Sequence, residues 1–453
     1  MIDLASLRTR LADARLRPVG LRRIVAGRDA LDALPSIVES FAGSGAIALL
    51  VDATPMSRRG TDLKAAVPLL LSQTGRAVHT AVAGPPDGRV HADEATIAAV
   101  SFPDRPAILV TVGSGTLADI GKTLAARLGG VPHVIVQTAA SVNGFADDQS
   151  VLLRDGVKRT VPSRWPDALV LDEDILAEAP AAMNRAGLGD MLSMFTAPAD
   201  WYLASAVFQD DSFSPTAVAI AREHGDELLD SGGTAEQVVR LAELLAVSGI
   251  SMGAAGRTAP SSGMEHTISH LLDMASNGRN ALHGAQVGVA TVIAALTWRH
   301  VRRRIAEDGL RLMFPDAEPM RRRVQAAFDP IDPTGAMSRE CIADYDAKLA
   351  RWHSCKEQLS GLAVAWPVHS STLDGLLVDP VRLVEALRKV GAPLRFSQLD
   401  PPVDPDTARW AVANCHLMRD RFTVADLAWF LGAWTDADVD AVLAEASTLD
   451  AGL

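Results

Sequence analysis

Residues 263–284 read GMEHTISHLLDMASNGRNALHG and carry three of the chain's eleven histidines. His266 and His270 are four apart, so in a helical HTISHLLDM their imidazoles share one face, a turn from each other. His283 follows the polar break ASNGRN and opens another apolar run. Neutral imidazole is a strong donor to Zn²⁺ or Fe²⁺, so such a pair with a third histidine beyond a turn has metal-ligand spacing. A carboxylate stands in GLGDMLSMFTAPADW (187–201), where Asp190 follows a flexible Gly-Leu-Gly. An aspartate early in a helix reads as an N-cap. Taken with His266 and His283, it reads as the third member of a ligand set that leaves a coordination position for a substrate oxygen or water. A metal there, beside a nicotinamide, would lower the pKa of an alcohol so that the proton leaves and hydride passes to the cofactor.

A second group of residues suits a nucleotide. AILVTVGSGTLADIGKTLA sets a glycine-rich turn between a strand and a helix, where backbone N–H groups and the helix dipole can hold a pyrophosphate. Gly113 and Gly115 permit close approach, and Ser114 and Thr116 offer hydroxyls. The turn lacks the third glycine of G-x-G-x-x-G and does not follow the first strand, so a plain tight turn competes with the phosphate reading. Asp52, at the end of the LLVD run, suits either the ribose hydroxyls of NAD or a strand-end turn.

Positioning these residues calls for two kinds of element. AIALLVD (46–52), AVHTAVAG (77–84), AILVTVG (107–113), HVIVQTAA (133–140) and PDALVLD (166–172) are near-continuous hydrophobic runs separated by helical patterns such as SGTLADIGKTLAARLGG. That rhythm predicts a Rossmann-like parallel sheet in an α/β nucleotide-binding domain over residues 1–173. Beyond it, TAEQVVRLAELLAVSGISMG and GAQVGVATVIAALTWRHVRRR keep helical spacing with no strand signal, which predicts an all-α metal- and substrate-binding domain over 174–453.

With 453 residues and 48% hydrophobic content, the chain has material for two or three well-cored domains. A net charge of −12 argues against nucleic acid or an anionic membrane as a partner, since both demand a basic face. The basic runs Arg299–Arg304 and Arg321–Arg323 read as solvated helix faces. Cys341, Cys355 and Cys415 are odd in number and lack C-x-x-C pairing, which suits a reducing cytoplasm, and the N-terminus has no apolar h-region.

In order, VGSGTLADIGK, QTAASVNGFADD, DGVKRTVP, GLGDMLSMFTAPADW, SSGMEHTISHLLDM and ALHGAQVG resemble the sn-glycerol-1-phosphate dehydrogenase group of the iron-containing alcohol dehydrogenase and dehydroquinate synthase-like superfamily, with a weaker echo at RDRFTVADLAWFLG. The resemblance implies the dehydroquinate synthase-like fold and a metal-dependent oxidoreductase linked to NAD or NADP, acting on a small polyol or polyol phosphate. It implies Asp190, His266 and His283 as ligands of one divalent metal, Zn²⁺ ahead of Fe²⁺ or Ni²⁺, and gives His270 a substrate or proton-relay role beside Asp190 in catalysis. It assigns Gly113, Ser114, Gly115, Thr116 and Leu117 to the pyrophosphate and Thr138, Ala139, Ala140 and Ser141 to the nicotinamide half. Asp147 and Lys158 are counted with the cofactor contacts, and Asn143 and Arg257 with the substrate. A homo-oligomer follows by analogy.

The departures point to an altered pocket. The resembling group leads us to expect an aspartate at Asn143, a serine at Asp147, a lysine at Met194 and an arginine at Ala259. Losing that lysine and arginine removes cationic partners that a phosphate needs, while Lys158, Arg164 and Arg257 remain as anion contacts. Two alternatives stand beside the dehydrogenase: a dehydroquinate synthase-like sugar-phosphate cyclase, against which the aspartate ligand argues, and a non-catalytic nucleotide-binding protein.

Overall fold

The five hydrophobic runs become strands of one parallel sheet, four of them buried and the one in AVHTAVAG, at the sheet edge, partly exposed. The computed structural model describes residues 2–41, 43–86, 90–154, 157–230, 232–276 and 280–453. Apart from the two-residue antiparallel pair Ser57–Arg58 and Thr61–Asp62, its strands are β1 (Arg23–Gly27), β2 (Ile47–Asp52), β3 (Val78–Ala83), β4 (Ile108–Gly113), β5 (His133–Gln137), β6 (Gln149–Arg154), β7 (Val157–Pro162) and β8 (Ala168–Asp172). The sheet runs β1-β8-β5-β4-β2-β3, parallel throughout, with Leu50 paired to Thr111 and Gly113 to Gln137. β4, β5 and β8 are buried at every position, as strands covered by helices on both faces must be. β1 is an addition to the sequence reading: this edge strand, RIVAG, is only partly buried and carries little hydrophobic signal. The antiparallel hairpin β6–β7 is another addition, its second strand falling in the DGVKRTVP motif.

β3 and β4 lie on opposite sides of β2, so the strand order reverses between β2 and β4. In an open α/β sheet a ligand sits beyond the carboxyl ends of the strands at such a reversal. Asp52 ends β2 and Gly113 ends β4, so both belong to that place.

The chain packs as two compact units, Met1–Met191 with Thr216–Thr258, and Leu192–Pro215 with Ala259–Leu453. Among the described residues no strand follows Asp172, so element type changes close to residue 173. The first unit adds helices α1 (Gly115–Arg127), most of α2 (Ala181–Leu192) and α3 (Ala235–Ala255) to the sheet. α3 is long and apolar enough to cross a membrane, but 89% of its apolar window is buried inside the structure, which makes it a core helix. Thr234 and Gln237 cap it reciprocally, and Gly256 ends it at φ +70°.

The second unit is helical. Its α4 (Met264–Ala275) packs on α5 (His283–Asp308), and Pro405–Asn414, Val424–Phe430 and Asp436–Thr448 surround that pair. Within the arginine runs Arg299 pairs with Asp379 and Glu445, Arg302 with Asp374 and Arg321 with Asp346, while Arg323 is partly buried and lies over the Trp429 ring at 4.0 Å. All three cysteines are free thiols.

Candidate functional site

In the first unit the glycine-rich turn is shaped by close approach. Ser114 caps α1 in extended conformation without a side-chain cap bond. A Cβ at Gly115 would fall 2.7 Å from Val142 Cγ2. The helix-to-strand contact that a third motif glycine would serve is made by Gly121, where a Cβ would lie 2.4 Å from Thr111 Oγ1 and 2.7 Å from His133 Nε2. Thr138 donates its N–H to the Gly113 carbonyl (3.1 Å), which ties the two predicted nucleotide segments together.

The segment from Thr138 to Ser141 is held through its own peptide groups. Gln137 Nε2 donates to the Ala139 carbonyl (2.9 Å), and Ala140 N–H donates to Asn184 Oδ1 (3.0 Å). Gly187 of α2 lies against this loop so tightly that a Cβ would come within 1.8 Å of the Ala140 carbonyl oxygen. Gly249 of α3 is similarly placed, 2.5 Å from the Asn143 carbonyl oxygen. Asn143 donates its N–H to Asp190 Oδ2 (2.9 Å) and its Nδ2 to Ser248 Oγ (3.3 Å). Asp190 therefore holds the loop from the last turn of α2, and the N-cap reading is corrected: the helix begins nine residues earlier, at Ala181.

Other predicted residues have definite partners. Both oxygens of Asp52 accept from Thr54, N–H and Oγ1, each at 3.0 Å. Asp147 is buried and accepts from Lys122 Nζ (2.8 Å), a fully buried lysine that also donates to the carbonyls of Gly144 (2.6 Å) and Gln149. Lys122 also pairs with Asp119 at 3.3 Å; burial pushes the Asp119 carboxyl up to about 6 despite the lysine charge. Arg164 turns inward to Asp167 (2.8 Å) and the Val131 carbonyl (2.5 Å). Arg257 is exposed just beyond Gly256. Lys158 lies in β7, but its side chain falls outside the described residues.

In the second unit α4 and α5 bring the three histidines together. The ring centroids of His266 and His283 are 5.2 Å apart, those of His270 and His283 5.8 Å, and those of His266 and His270 6.5 Å. α4 ends at Ala275, and Asn277, Gly278 and Arg279 of the polar break lie outside the described residues. Behind the rings stand side chains that the spacing of histidines does not reveal. Glu265, fully buried, meets His266 Nδ1 at 3.0 Å and accepts from Gly263 N–H (2.5 Å) and Thr196 Oγ1 (2.9 Å). Burial works to raise the Glu265 carboxyl, but the bond and charge of His266 and the Gly263 amide outweigh it and hold it below the ordinary glutamate range. Its neighbour Asp200, bonded to the N–H groups of Met264 and Val424 and to Trp298 Nε1, is pushed well above the carboxylate range by burial and by the Glu265 charge. Ser269 Oγ meets His283 Nδ1 at 3.0 Å and donates to Gln286 Oε1 at 2.6 Å; Gln286 Nε2 in turn donates to Asp273 Oδ1 at 3.1 Å. Met194 and Ala259, where a lysine and an arginine were expected, are both buried in this unit.

Residues 25–180 match the family model described as iron-containing alcohol dehydrogenase. The glycerol-1-phosphate dehydrogenase [NAD(P)+] of Bacillus licheniformis is 29% identical over 417 residues, spanning 90% of this chain and 88% of that protein. The one from Hyperthermus butylicus is 31% identical over 309 residues, 64% of this chain and 82% of that protein. Among solved structures, a probable glycerol dehydrogenase from Sinorhizobium meliloti superposes with a TM-score of 0.56 at 18% identity, covering 95% of this chain and 99% of the other. That likeness establishes the dehydroquinate synthase-like architecture expected from the sequence. With that fold, and with a relative above 30% identity matched over four-fifths of its length, the chain belongs to the glycerol-1-phosphate dehydrogenase family of the iron-containing alcohol dehydrogenases.

Proposed function

We infer that the chain is a metal-dependent, NAD(P)-linked oxidoreductase that moves hydride between a small polyol, or its phosphate, and the corresponding ketone or aldehyde. The carrying observation is the histidine cluster of α4 and α5, where two imidazoles with centroids 5.2 Å apart each have Nδ1 against a hydrogen-bonding partner. That chemistry fits a divalent ion: an imidazole engaged through Nδ1 presents its Nε2 lone pair as a ligand. Asp190, His266 and His283 are the residues we assign to hold it, one carboxylate and two imidazoles. Imidazole-rich sets that keep an open position suit Zn²⁺, which we favour over Fe²⁺ or Ni²⁺. When bound, the ion supplies Lewis acidity that lowers the pKa of the substrate alcohol.

The remaining tasks fall to the chain itself. We assign the pyrophosphate to the main-chain N–H groups and hydroxyls from Gly113 to Leu117 at the head of α1, and the nicotinamide half to the loop Thr138–Ser141. His270, beside the other two rings, is the group we assign to carry the proton of the substrate hydroxyl away. Soluble, cytoplasmic operation as a homo-oligomer completes the proposal.

For substrate choice we propose that an uncharged or differently charged polyol is preferred to dihydroxyacetone phosphate. Met194 and Ala259 offer no charge where the family pattern leads us to expect a lysine and an arginine. Each missing charge-assisted bond costs roughly 1.5–3 kcal/mol, so together they cost a hundredfold or more in kcat/KM, at about 1.4 kcal/mol per factor of ten. Steady-state kinetics on the metal-loaded protein, run beside Met194→Lys/Ala259→Arg, test this. Efficient reduction of dihydroxyacetone phosphate by the wild type, with no gain in the double variant, overturns the altered pocket. Net NADH release with a polyol distinguishes a dehydrogenase from a cyclase that reoxidises its cofactor within the turnover.

A further inference from the structure

We propose that Glu265 and Ser269 are positioning residues that fix the tautomer and aim of the two metal-binding histidines, Glu265 for His266 and the relay Ser269–Gln286–Asp273 for His283. The proposal rests on the reading that His266 and His283 hold the metal.

The argument for His266 is one of donors and acceptors. A carboxyl whose two oxygens both already receive donors is the accepting partner of a third group. Glu265 Oε1 lies 3.0 Å from His266 Nδ1 and already receives the Gly263 N–H, while Oε2 receives the Thr196 hydroxyl. Nδ1 must therefore carry the ring proton, and the lone pair sits on Nε2. Gly263 keeps this arrangement tight: a Cβ there would lie 2.6 Å from Asp200 Oδ2 and 3.1 Å from Glu265 Oε2.

For His283 the same result comes through three neutral or charged groups in series. Asp273 Oδ1 accepts from Gln286 Nε2, which turns the amide oxygen of Gln286 toward Ser269. Ser269 has one hydroxyl proton and gives it to that oxygen at 2.6 Å. Its oxygen can then only accept from His283 Nδ1, 3.0 Å away, so His283 also carries its lone pair on Nε2. Ser269 and Glu265 are fully buried and Gln286 is 1% exposed, so water is a poor substitute for any of these partners. Two unrelated side-chain systems thus converge on the one tautomer that lets both rings ligate through the same nitrogen.

Removing such supports costs 10–100-fold in metal affinity. The test uses the full-length protein loaded with Zn²⁺, and in parallel with Co²⁺. Zn²⁺ affinity is read by competition with a chromophoric chelator, and Co²⁺ geometry by its visible absorption. We expect Glu265→Gln and Ser269→Ala each to weaken Zn²⁺ binding 10–100-fold and to shift the Co²⁺ spectrum, while NAD binding stays near the wild-type value. His266→Ala should lose the metal outright. If His266→Ala loses it but both support variants bind like wild type, the positioning role is wrong and the ligand assignment stands. If His266→Ala binds with wild-type affinity, the ligand assignment itself fails. Because a variant at a buried position can fail to fold, ¹⁵N-histidine spectra of the unaltered, metal-free protein give an independent readout: the Nδ1–H tautomer for both rings is expected, and the Nε2–H tautomer at either overturns the proposal.

Discussion

The segments of the first unit that we assign to the nucleotide and the histidine cluster of the second are built from different materials. Around Thr138–Ser141 it is the loop's own peptide groups that are engaged, by close-packed glycines and by side-chain amides: Gly187 against the Ala140 carbonyl, Gly249 against the Asn143 carbonyl, Thr138 N–H on the Gly113 carbonyl, Gln137 on the Ala139 carbonyl and Asn184 on the Ala140 N–H. Around His266 and His283 the contacts are side chain to side chain, from Glu265, Thr196, Ser269 and Gln286. A backbone site tolerates changes of side chain but no added Cβ. A side-chain site tolerates small changes of shape but no loss of a donor or acceptor. The two regions should therefore break under opposite kinds of substitution.

Gly187→Ala carries the largest expected effect. The new methyl would sit 1.8 Å from a carbonyl oxygen, and neither a helix nor a peptide group can rotate away as a flexible side chain would. Overpacking of this kind costs about 3 kcal/mol or more, roughly 6–12 °C in the melting temperature of the first unit. NAD affinity should fall with it. A melting temperature within a degree of wild type, with unchanged NAD binding, would show that the loop yields, and the contrast between the regions would collapse.

His133 sharpens the comparison from another side, because it is a fully buried histidine outside the histidine cluster. It opens β5, has Nε2 2.8 Å from Thr111 Oγ1, and is pushed down to about 3 by burial first and by the charges of Arg164 and Lys122 second. Its folded pKa is below its unfolded value of about 6.5, so its contribution to stability is intact above pH 6.5 and is lost as pH falls toward 3. The loss is about 1.4 kcal/mol per pH unit across that window. In urea titrations at pH 7, 6, 5 and 4, His133→Asn should flatten the wild-type decline by that slope. Parallel declines in the two proteins would mean that other groups set the acid sensitivity.

These contrasts also explain what the sequence discloses. AIALLVD and AILVTVG read correctly as strands because a strand covered on both faces must be apolar at nearly every position, whereas RIVAG on the sheet edge has no such demand. The histidines proposed as metal ligands are legible by type and spacing. Glu265 is adjacent to His266 and Ser269 lies on the same helix, yet nothing in the spacing shows that Glu265 is met by Thr196, 69 residues away, or that Ser269 bonds to Gln286, 17 away. Gly-Leu-Gly before Asp190 looks like a turn, and the structure makes it helix, because Gly187 serves close packing rather than bending. The third glycine of the nucleotide turn is displaced to Gly121, where only the fold shows that helix and strand meet.

The smallest expected effect is at Asp52, the carboxylate read as facing the ribose of the cofactor. It ends β2 beside the strand-order reversal, the place where a carboxylate can receive ribose hydroxyls and repel a 2′-phosphate. Both of its oxygens also accept from Thr54, so the carboxylate is fixed in place by the turn it forms. Asp52→Asn keeps one acceptor for that turn and removes the charge. If the charge faces the ribose, the ratio of kcat/KM for NAD to that for NADP should fall on the order of tenfold, about 1.4 kcal/mol, with the melting temperature nearly unchanged. Asp52→Ala should lower the same ratio and also cost stability, since the Thr54 N–H loses its partner. An unchanged ratio in both variants, with stability lost only in Asp52→Ala, would confine Asp52 to the turn and leave the nucleotide region without a side-chain determinant of cofactor choice on this strand.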